Sequence, residues 1–475
     1  IQILCSTVGR IWLNVSCGHE LQKRLILLKI NASMLPQSVS RKNFIKNSSI
    51  LVAGGAGLLL GKSTNAAEQI KSATSNEGLT LKNVRLETGF EFQDDKVIST
   101  KTELFIIEIS NGKIKTILPN NSNAKAVDAK GLLMLPAFRD MHIHLDKTFY
   151  GGPWQAVRKR EGGVKGMIAL EQKILPELLK TSTHRAEKMI ELLQSCGSGY
   201  ARSHVNIEPT SKLQSLKNLQ TALENKKKSF GAALVAFPQH GIFYTHSAQL
   251  MKEAAVMGVD YIGGLDPYTI DGNIEKTMDF IVRLALDHNK GIDIHLHETG
   301  ESGLKTVEYL IDRVNENASL QGKTFLSHCF VLGRLDKHKQ EEIAEKLANA
   351  QIGIMSTIPF GTLIMPIPTL YKYGVTVGTG NDSIMDHWNT WGTGSVLDKA
   401  RLMAQLYGYA TEFQLSRSLK LATYNVLPLD DKGNRQWPKP GDAADVVLID
   451  ASCSAEAVSR VSPVQSLIHH GNIVY

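Results

Sequence analysis

The chain has 475 residues, 43% of them hydrophobic, with 53 Lys and Arg against 46 Asp and Glu. That length and ordinary globular composition exclude a mini-protein, a disordered chain and a collagen-like repeat. The net charge of +7 comes from the start of the chain, where residues 1–66 carry eight basic side chains and one acidic one. The remainder balances at 45 against 45, so it has no basic excess for a nucleic-acid partner.

Residues 1–33 begin with Ile and read as an upstream or non-native extension, since the first Met is Met34. Then come Ser40-Arg41-Lys42-Asn43-Phe44-Ile45-Lys46, an apolar run at 50–60 and the small residues Thr64-Asn65-Ala66-Ala67. A basic stretch, a short apolar stretch and small residues follow the order of a signal peptide. Residues 34–66 are therefore expected to direct export to the periplasm or exterior, with a cytoplasmic location as the alternative. The basic stretch resembles a twin-arginine signal with lysine at the second arginine. Its apolar run is too short for a stable membrane span. Of the five cysteines, Cys5 and Cys17 precede Met34, and Cys196, Cys329 and Cys453 are too widely spaced for a Cys-x-x-Cys site.

From residue 79 short strands are expected at 79–86, 104–110 and 113–118, with Asn111-Gly112 as a hairpin signal. Further strands at 444–450 and 472–475 suggest that 79–131 and 425–475 pair into a small β-sandwich. The centre, 132–424, alternates apolar runs with helical patterns, as βα units do. Eight strands are expected, at 132–144, 200–207, 232–238, 261–265, 292–297, 324–328, 352–357 and 375–380. From His142 to Asp382 is 240 residues, against roughly 250 for a (β/α)8 barrel. The predicted fold is α/β, a TIM barrel with the sandwich attached.

In such barrels the chemistry sits where strands pass into their following loops. Strand one ends Asp140-Met141-His142-Ile143-His144, strand five Asp293-Ile294-His295-Leu296-His297-Glu298, strand six Ser327-His328, and strand eight leads to Asp382-Ser383. Two apart on a strand, His142 and His144 share a face. Imidazoles with one carboxylate suit zinc or ferrous iron with an open position for water. Such an ion lowers the pKa of bound water from about 15.7 toward 7. Glu298 stands at the same rim as a proton carrier. His297 either lines the pocket or points outward, and His204 is structural or supports a ligand. His240, His246, His288 and His338 read as solvated. Strand four ends Leu265-Asp266-Pro267 without a lysine to bridge two ions, so one metal is expected.

The runs Leu135-Pro136-Ala137-Phe138-Arg139-Asp140-Met141-His142-Ile143-His144-Leu145-Asp146-Lys147-Thr148 and Leu234-Val235-Ala236-Phe237-Pro238-Gln239-His240-Gly241, with Asp386-His387-Trp388 and Pro440-Gly441-Asp442, resemble the cytosine deaminase branch of the amidohydrolase superfamily. The likeness runs from about residue 79 to 475. It implies metal ligation by His142, His144, His295 and Asp382, one divalent ion per chain (zinc or iron, with manganese as a further candidate), and catalysis by Glu298, His328 and Asp382. Gln239 would recognise the ring, and Trp388 would close the pocket. The branch's cytosine deaminases carry a second aspartate where Ser383 stands, and a hydroxyl supplies no charge. Ser383 therefore leaves the hydrolytic chemistry intact and removes the argument for cytosine itself. The expected activity is metal-dependent hydrolysis of a C–N bond, foremost deamination of an amino-substituted heterocycle. An amidase or N-substituted triazine hydrolase is the alternative, and a catalytically silent secreted binding protein a remote one. A small heterocycle is the expected partner, and a homo-oligomer fits the resemblance.

Overall fold

The computed structural model describes residues 2–5, 11–14, 78–122, 125–157 and 162–475. Residues 1–60 form a separate unit, of which the described part is an antiparallel pair, Gln2–Cys5 with Ile11–Asn14. The leader expected at 34–66 lies outside the described residues. No described helix is long and apolar enough to cross a membrane.

Eight parallel strands pair in chain order. They are β1 Phe138–Ile143, β2 Ser198–Asn206, β3 Gly231–Phe237, β4 Tyr261–Leu265, β5 Gly291–His295, β6 Thr324–Ser327, β7 Ile352–Ser356 and β8 Val377–Thr379. The ladder comes back toward β1 through a parallel bridge between Ile143 and Asp382. Asp382 N donates to His142 O at 2.7 Å, and His144 N donates to Asp382 O at 3.0 Å. The expected βα alternation thus forms a nearly closed barrel with helices between its strands.

Strand periodicity sorts the side chains. Ile292, Ile294 and Leu296 join the apolar core shared with helices such as Ile274–Asp287 and Glu301–Glu316, while Asp293 and His295 take the alternate face. Each fully buried Ile or Leu contributes about 1.5–3 kcal/mol. A second apolar cluster, Met141, Phe325 and Met355 with Tyr200, Tyr261 and Tyr424 around it, fills part of the interior apart from the histidines. Packing of this kind makes the barrel a core and not a pore.

The terminal segments pair into a separate sheet. Its order is Asn472–Ile473, Val464–His469, Val446–Ile449, Leu133–Pro136, Leu79–Gln93, Lys96–Ser110 and Lys113–Pro119, with Val127–Asp128 beside Leu79–Gln93. Asn111 and Gly112 take the expected left-handed turn at φ 52° and 70°. The first two strands run past the expected 79–86 and 104–110 because a second turn, Asp94-Asp95, joins them.

The apolar run at 132–144 is two strands, not one. Leu133–Pro136 pairs antiparallel with Val446–Ile449, and Phe138–Ile143 pairs with β2. The switch falls at Ala137, whose N–H goes to Asp445 O while that of Phe138 goes to Gly197 O, both at 2.9 Å. Pro136, which has no N–H to give a ladder, precedes it.

Closure needs Gly380, because a Cβ there would run into the His142 backbone and the Asp140 carboxylate. Gly380→Ala is expected to cost about 1–3 kcal/mol through overpacking, read as a lower urea midpoint than the parent chain. An unchanged midpoint would show that the β1–β8 seam is slack.

Candidate active site

β1 brings His142 and His144 to its end, β5 brings His295, and the residue after β6 is His328. Asp382 joins them because it closes the barrel and holds φ at 61°. His142 Nε2 and His144 Nε2 each lie 3.4 Å from Asp382 Oδ1, and His295 Nε2 lies 3.3 Å from His144 Nε2. Ligand atoms about 2.0–2.1 Å from a tetrahedral zinc are about 3.3–3.4 Å apart, which is the spacing of these pairs. His328 Nε2 lies 4.0 Å from Asp382 Oδ2, and donor atoms of His142, His295, His328 and Asp382 all lie within 4.8 Å of one another. His328, expected as an orienting group, therefore belongs to the same donor cluster.

The cluster fits a divalent cation. His142 Nε2 and His328 Nε2 are buried and have no hydrogen-bond partner among the described residues, a state that costs roughly 1–3 kcal/mol per group unless something fills it. Burial holds His144 down to about 3, helped by the nearby Lys147 charge, and holds His295 and His328 well below the usual imidazole range. All three are thus neutral and able to donate a lone pair. Burial alone would raise the Asp382 carboxyl, but the close approach of His142 and His144 outweighs it and holds the carboxyl well below the usual carboxylate range.

The inner residues fix a tautomer. Ser327 Oγ donates to Asp293 Oδ1 at 2.6 Å, so at 2.8 Å it accepts from His142 Nδ1. His142 is therefore protonated at Nδ1 and presents a bare Nε2 to the cluster. Arg202, 2% exposed, donates to Asp293 Oδ2 at 2.8 Å. A second possible donor set, His142, His204 and Asp293, is weakened because Asp293 is already bound by Ser327 and Arg202. His204 packs against His142 and His295 at 4.3 and 4.5 Å between centroids and is kept neutral by burial.

Glu298 Oε1 accepts from the backbone amides of Tyr268 at 3.1 Å and Thr269 at 2.7 Å. Its buried Oε2 has no partner among the described residues. Asp266, at φ 36°, braces this rim through the backbone N–H groups of His297 and Glu298. Half-buried His297 donates from Nδ1 to Asp266 Oδ2 at 2.9 Å and packs on the His328 ring at 4.4 Å. Gln239 is 5% exposed and accepts at Oε1 from Lys147 Nζ. Trp388 Nε1 donates to Glu171 Oε2 at 3.3 Å. Ser383 is buried, and Asn389 Nδ2 donates to its backbone carbonyl at 3.0 Å.

A family model described as the amidohydrolase family matches residues 193–475. The chain belongs to the amidohydrolase family. The uncharacterized protein YahJ of Escherichia coli (strain K12) is 46% identical over 457 residues, 93% of this chain and 99% of that protein. N-isopropylammelide isopropylaminohydrolase from Burkholderia multivorans superposes with TM-score 0.73 at 26% identity, covering 84% of this chain and 98% of its own. 5-Methylcytosine deaminase from Klebsiella pneumoniae does so with TM-score 0.70 at 25% identity, covering 84% and 97%. This amidohydrolase is a hydrolase of carbon–nitrogen bonds other than peptide bonds.

Beside the donor cluster lies a buried charged group that the sequence reading missed. Lys147 is 1% exposed and Glu171 is fully buried. Glu171 accepts from Asn206 Nδ2 at 2.6 Å and sits 3.1 Å from His387 Nε2 and 3.4 Å from His240 Nε2. Glu171 lies with Met167, Ile168, Leu175 and Leu178 on the buried stripe of the helix Gly163–Leu178. An acid on that stripe was the signal available. His240 is not solvated as expected but fully buried, with Glu208 Oε2 at 3.1 Å from its Nδ1. Exposed His246 and His338 are as expected.

Two outcomes are expected. Ser327→Ala should weaken metal affinity about 10–100-fold in competition with a chelator, with the fold retained; unchanged affinity would remove the tautomer role. Burial alone would lower His240, but Glu171 and Glu208 raise it from 6.5 to about 9. Its stabilisation is therefore complete below about pH 6.5 and lost as pH rises through about 9. The urea midpoint of the parent chain should fall across that window, and His240→Gln should flatten the fall.

Proposed function

We propose that this amidohydrolase hydrolytically deaminates an amino-substituted heterocycle, with one divalent ion, zinc or iron with manganese as a further candidate, held by His142, His144, His295 and Asp382. The ion would supply a Lewis acid that makes water nucleophilic at neutral pH. Asp382 Oδ2 is the base that takes the water proton at the start. Glu298, anchored at Oε1 with Oε2 unpartnered among the described residues, carries a proton to the ring nitrogen beside the amino-bearing carbon and so removes charge from the tetrahedral intermediate. His328 stabilises the new oxygen, and the proton first taken by Asp382 passes to the amino group, whose bond to the ring carbon breaks as it leaves as ammonia. Gln239, Ser383 and Trp388 hold the ring.

The observation that carries this reading is the meeting of unfilled ring nitrogens, an ionised carboxylate and a carboxyl with one idle oxygen within a single buried mouth. It supports an enzyme over a silent binding protein, which needs no such set. N-isopropylammelide isopropylaminohydrolase as a structural neighbour favours one second reading, release of an alkylamine in place of ammonia. Export through the basic and apolar segments between residues 40 and 60 is proposed on the sequence alone.

Metal-loaded protein offered amino-pyrimidines, amino-triazines and cyclic amides should release ammonia, or an alkylamine for the second reading. Glu298→Gln should lower that release about 10²–10⁴-fold with stoichiometric metal retained; near-parental turnover would remove Glu298 as proton carrier. Stripping the ion with a chelator should lower Tm, and returning it should restore Tm. A Tm indifferent to metal would contradict the ligand assignment.

A further inference from the structure

The last hairpin of the chain carries a second group of metal-type donors. Val446 pairs with Ile468 in an antiparallel ladder, so Asp445 stands across from His469 and the two side chains share a face. After His469 the chain turns through His470 and Gly471, and Asn472 pairs back with His469. Both turn residues have positive φ, 47° and 80°, as a type I′ hairpin requires. Consecutive side chains of a strand point to opposite faces. The left-handed turn instead sets His470 beside its neighbour, with the two rings 4.3 Å apart between centroids. The turn is fastened at its base, since His470 N donates to Asp445 Oδ1 at 2.9 Å and Gly471 N to Ala444 O at 3.1 Å.

Donor atoms of Asp445, His469 and His470 all lie within 4.8 Å of one another. His469 is 5% exposed, and its Nδ1 lies 2.8 Å from Asp445 Oδ1. That approach is close but not lined up as a hydrogen bond, and Nδ1 has no hydrogen-bond partner among the described residues. His142 Nε2 is in the same state beside Asp382. A buried nitrogen left bare next to a carboxylate therefore marks both groups. Half-buried Asp445 and exposed His470 open the second one to solvent. Its His469 ring lies over the starts of β2 and β3, where a Cβ on Gly199 would stand 3.6 Å from Nδ1 and one on Gly231 3.8 Å from Cε1. His204, which packs on His142, is five residues beyond Gly199 on β2, about 16 Å at the rise of a strand. The group thus sits at the end of the barrel opposite the mouth.

We propose that Asp445, His469 and His470 form a second divalent-cation site, which takes a transition ion of the zinc class and fastens the terminal hairpin. Two imidazole nitrogens and a carboxylate oxygen suit zinc, copper or nickel, whereas magnesium and calcium call for oxygen donors. Three protein ligands leave a position for water. The ion joins the turn after Val464–His469 to the residue that opens Val446–Ile449, the strand that also pairs with Leu133–Pro136. It shares no ligand with the cluster at the mouth and is independent of the deaminase reading.

The test is zinc binding to the full chain by equilibrium dialysis, with the bound metal counted. The parent chain should bind one ion at the mouth and a second, weaker one at the hairpin. His470→Asn removes the imidazole and keeps the turn, because Asn before Gly favours type I′ geometry. It should retain the first ion and weaken the second roughly 10–100-fold, the loss that even a supporting group causes, with the urea midpoint of the metal-free chain not lowered. Asp445→Asn should weaken the same ion, and where that variant does not fold His470→Asn decides. Zinc beyond the first equivalent should raise Tm in the parent and not in His470→Asn, and magnesium should not replace it. A chain whose every bound ion survives His470→Asn unweakened overturns the inference. A second ion that leaves the parent Tm unmoved overturns the fastening role. A single ion, lost in His470→Asn, would keep this site and undo the ligand assignment at the mouth.

Discussion

One residue, Asp382, both closes the barrel and faces its histidine cluster. Its N–H and C=O bond the backbone of His142 and His144, and its side chain reaches the ring nitrogens of the same two residues. The distance between carboxylate and imidazoles is therefore set by backbone hydrogen bonds and not by flexible side chains. Gly380, packed against β1 just upstream, lets the two strands approach closely enough for this. Whatever the site does to water depends on that seam.

Around the seam the interior is divided by charge. His144, His295 and His328 are neutral because the barrel desolvates them, and Asp382 stays ionised because the rings of His142 and His144 crowd its carboxylate. Arg202 and Asp293 form a fully desolvated pair beneath, oriented through Ser327 toward His142. Such a pair adds little net stability and is costly to break. Its value here is directional, since it decides which nitrogen of His142 carries the proton.

Much of this was legible in the sequence because strand periodicity is local. Ile143 between His142 and His144, and Ile294 between Asp293 and His295, declare two faces, and β-branched runs declare the strands themselves. The switch at Ala137 was not legible, because Leu132 to Phe138 is apolar whichever sheet it joins. Lys147, Glu171 and His240 were not legible as a group because burial of a charge depends on partners far apart in the chain. His240 is neutralised by acids 69 and 32 residues before it. Asp266 was noted only for lacking a lysine beside it, whereas its use is to brace the next strand's loop, a contact that no spacing announces.

The switch at Ala137 also sets an order of events during synthesis. The stretch feeding β1 finds its main ladder partner in Val446–Ile449, about three hundred residues later. At about 5–20 residues per second, the nascent chain carries the segment leading to His142 and His144 for some tens of seconds before the strand that anchors it leaves the ribosome. The lead-in to β1 can therefore be anchored only once synthesis has passed Ile449.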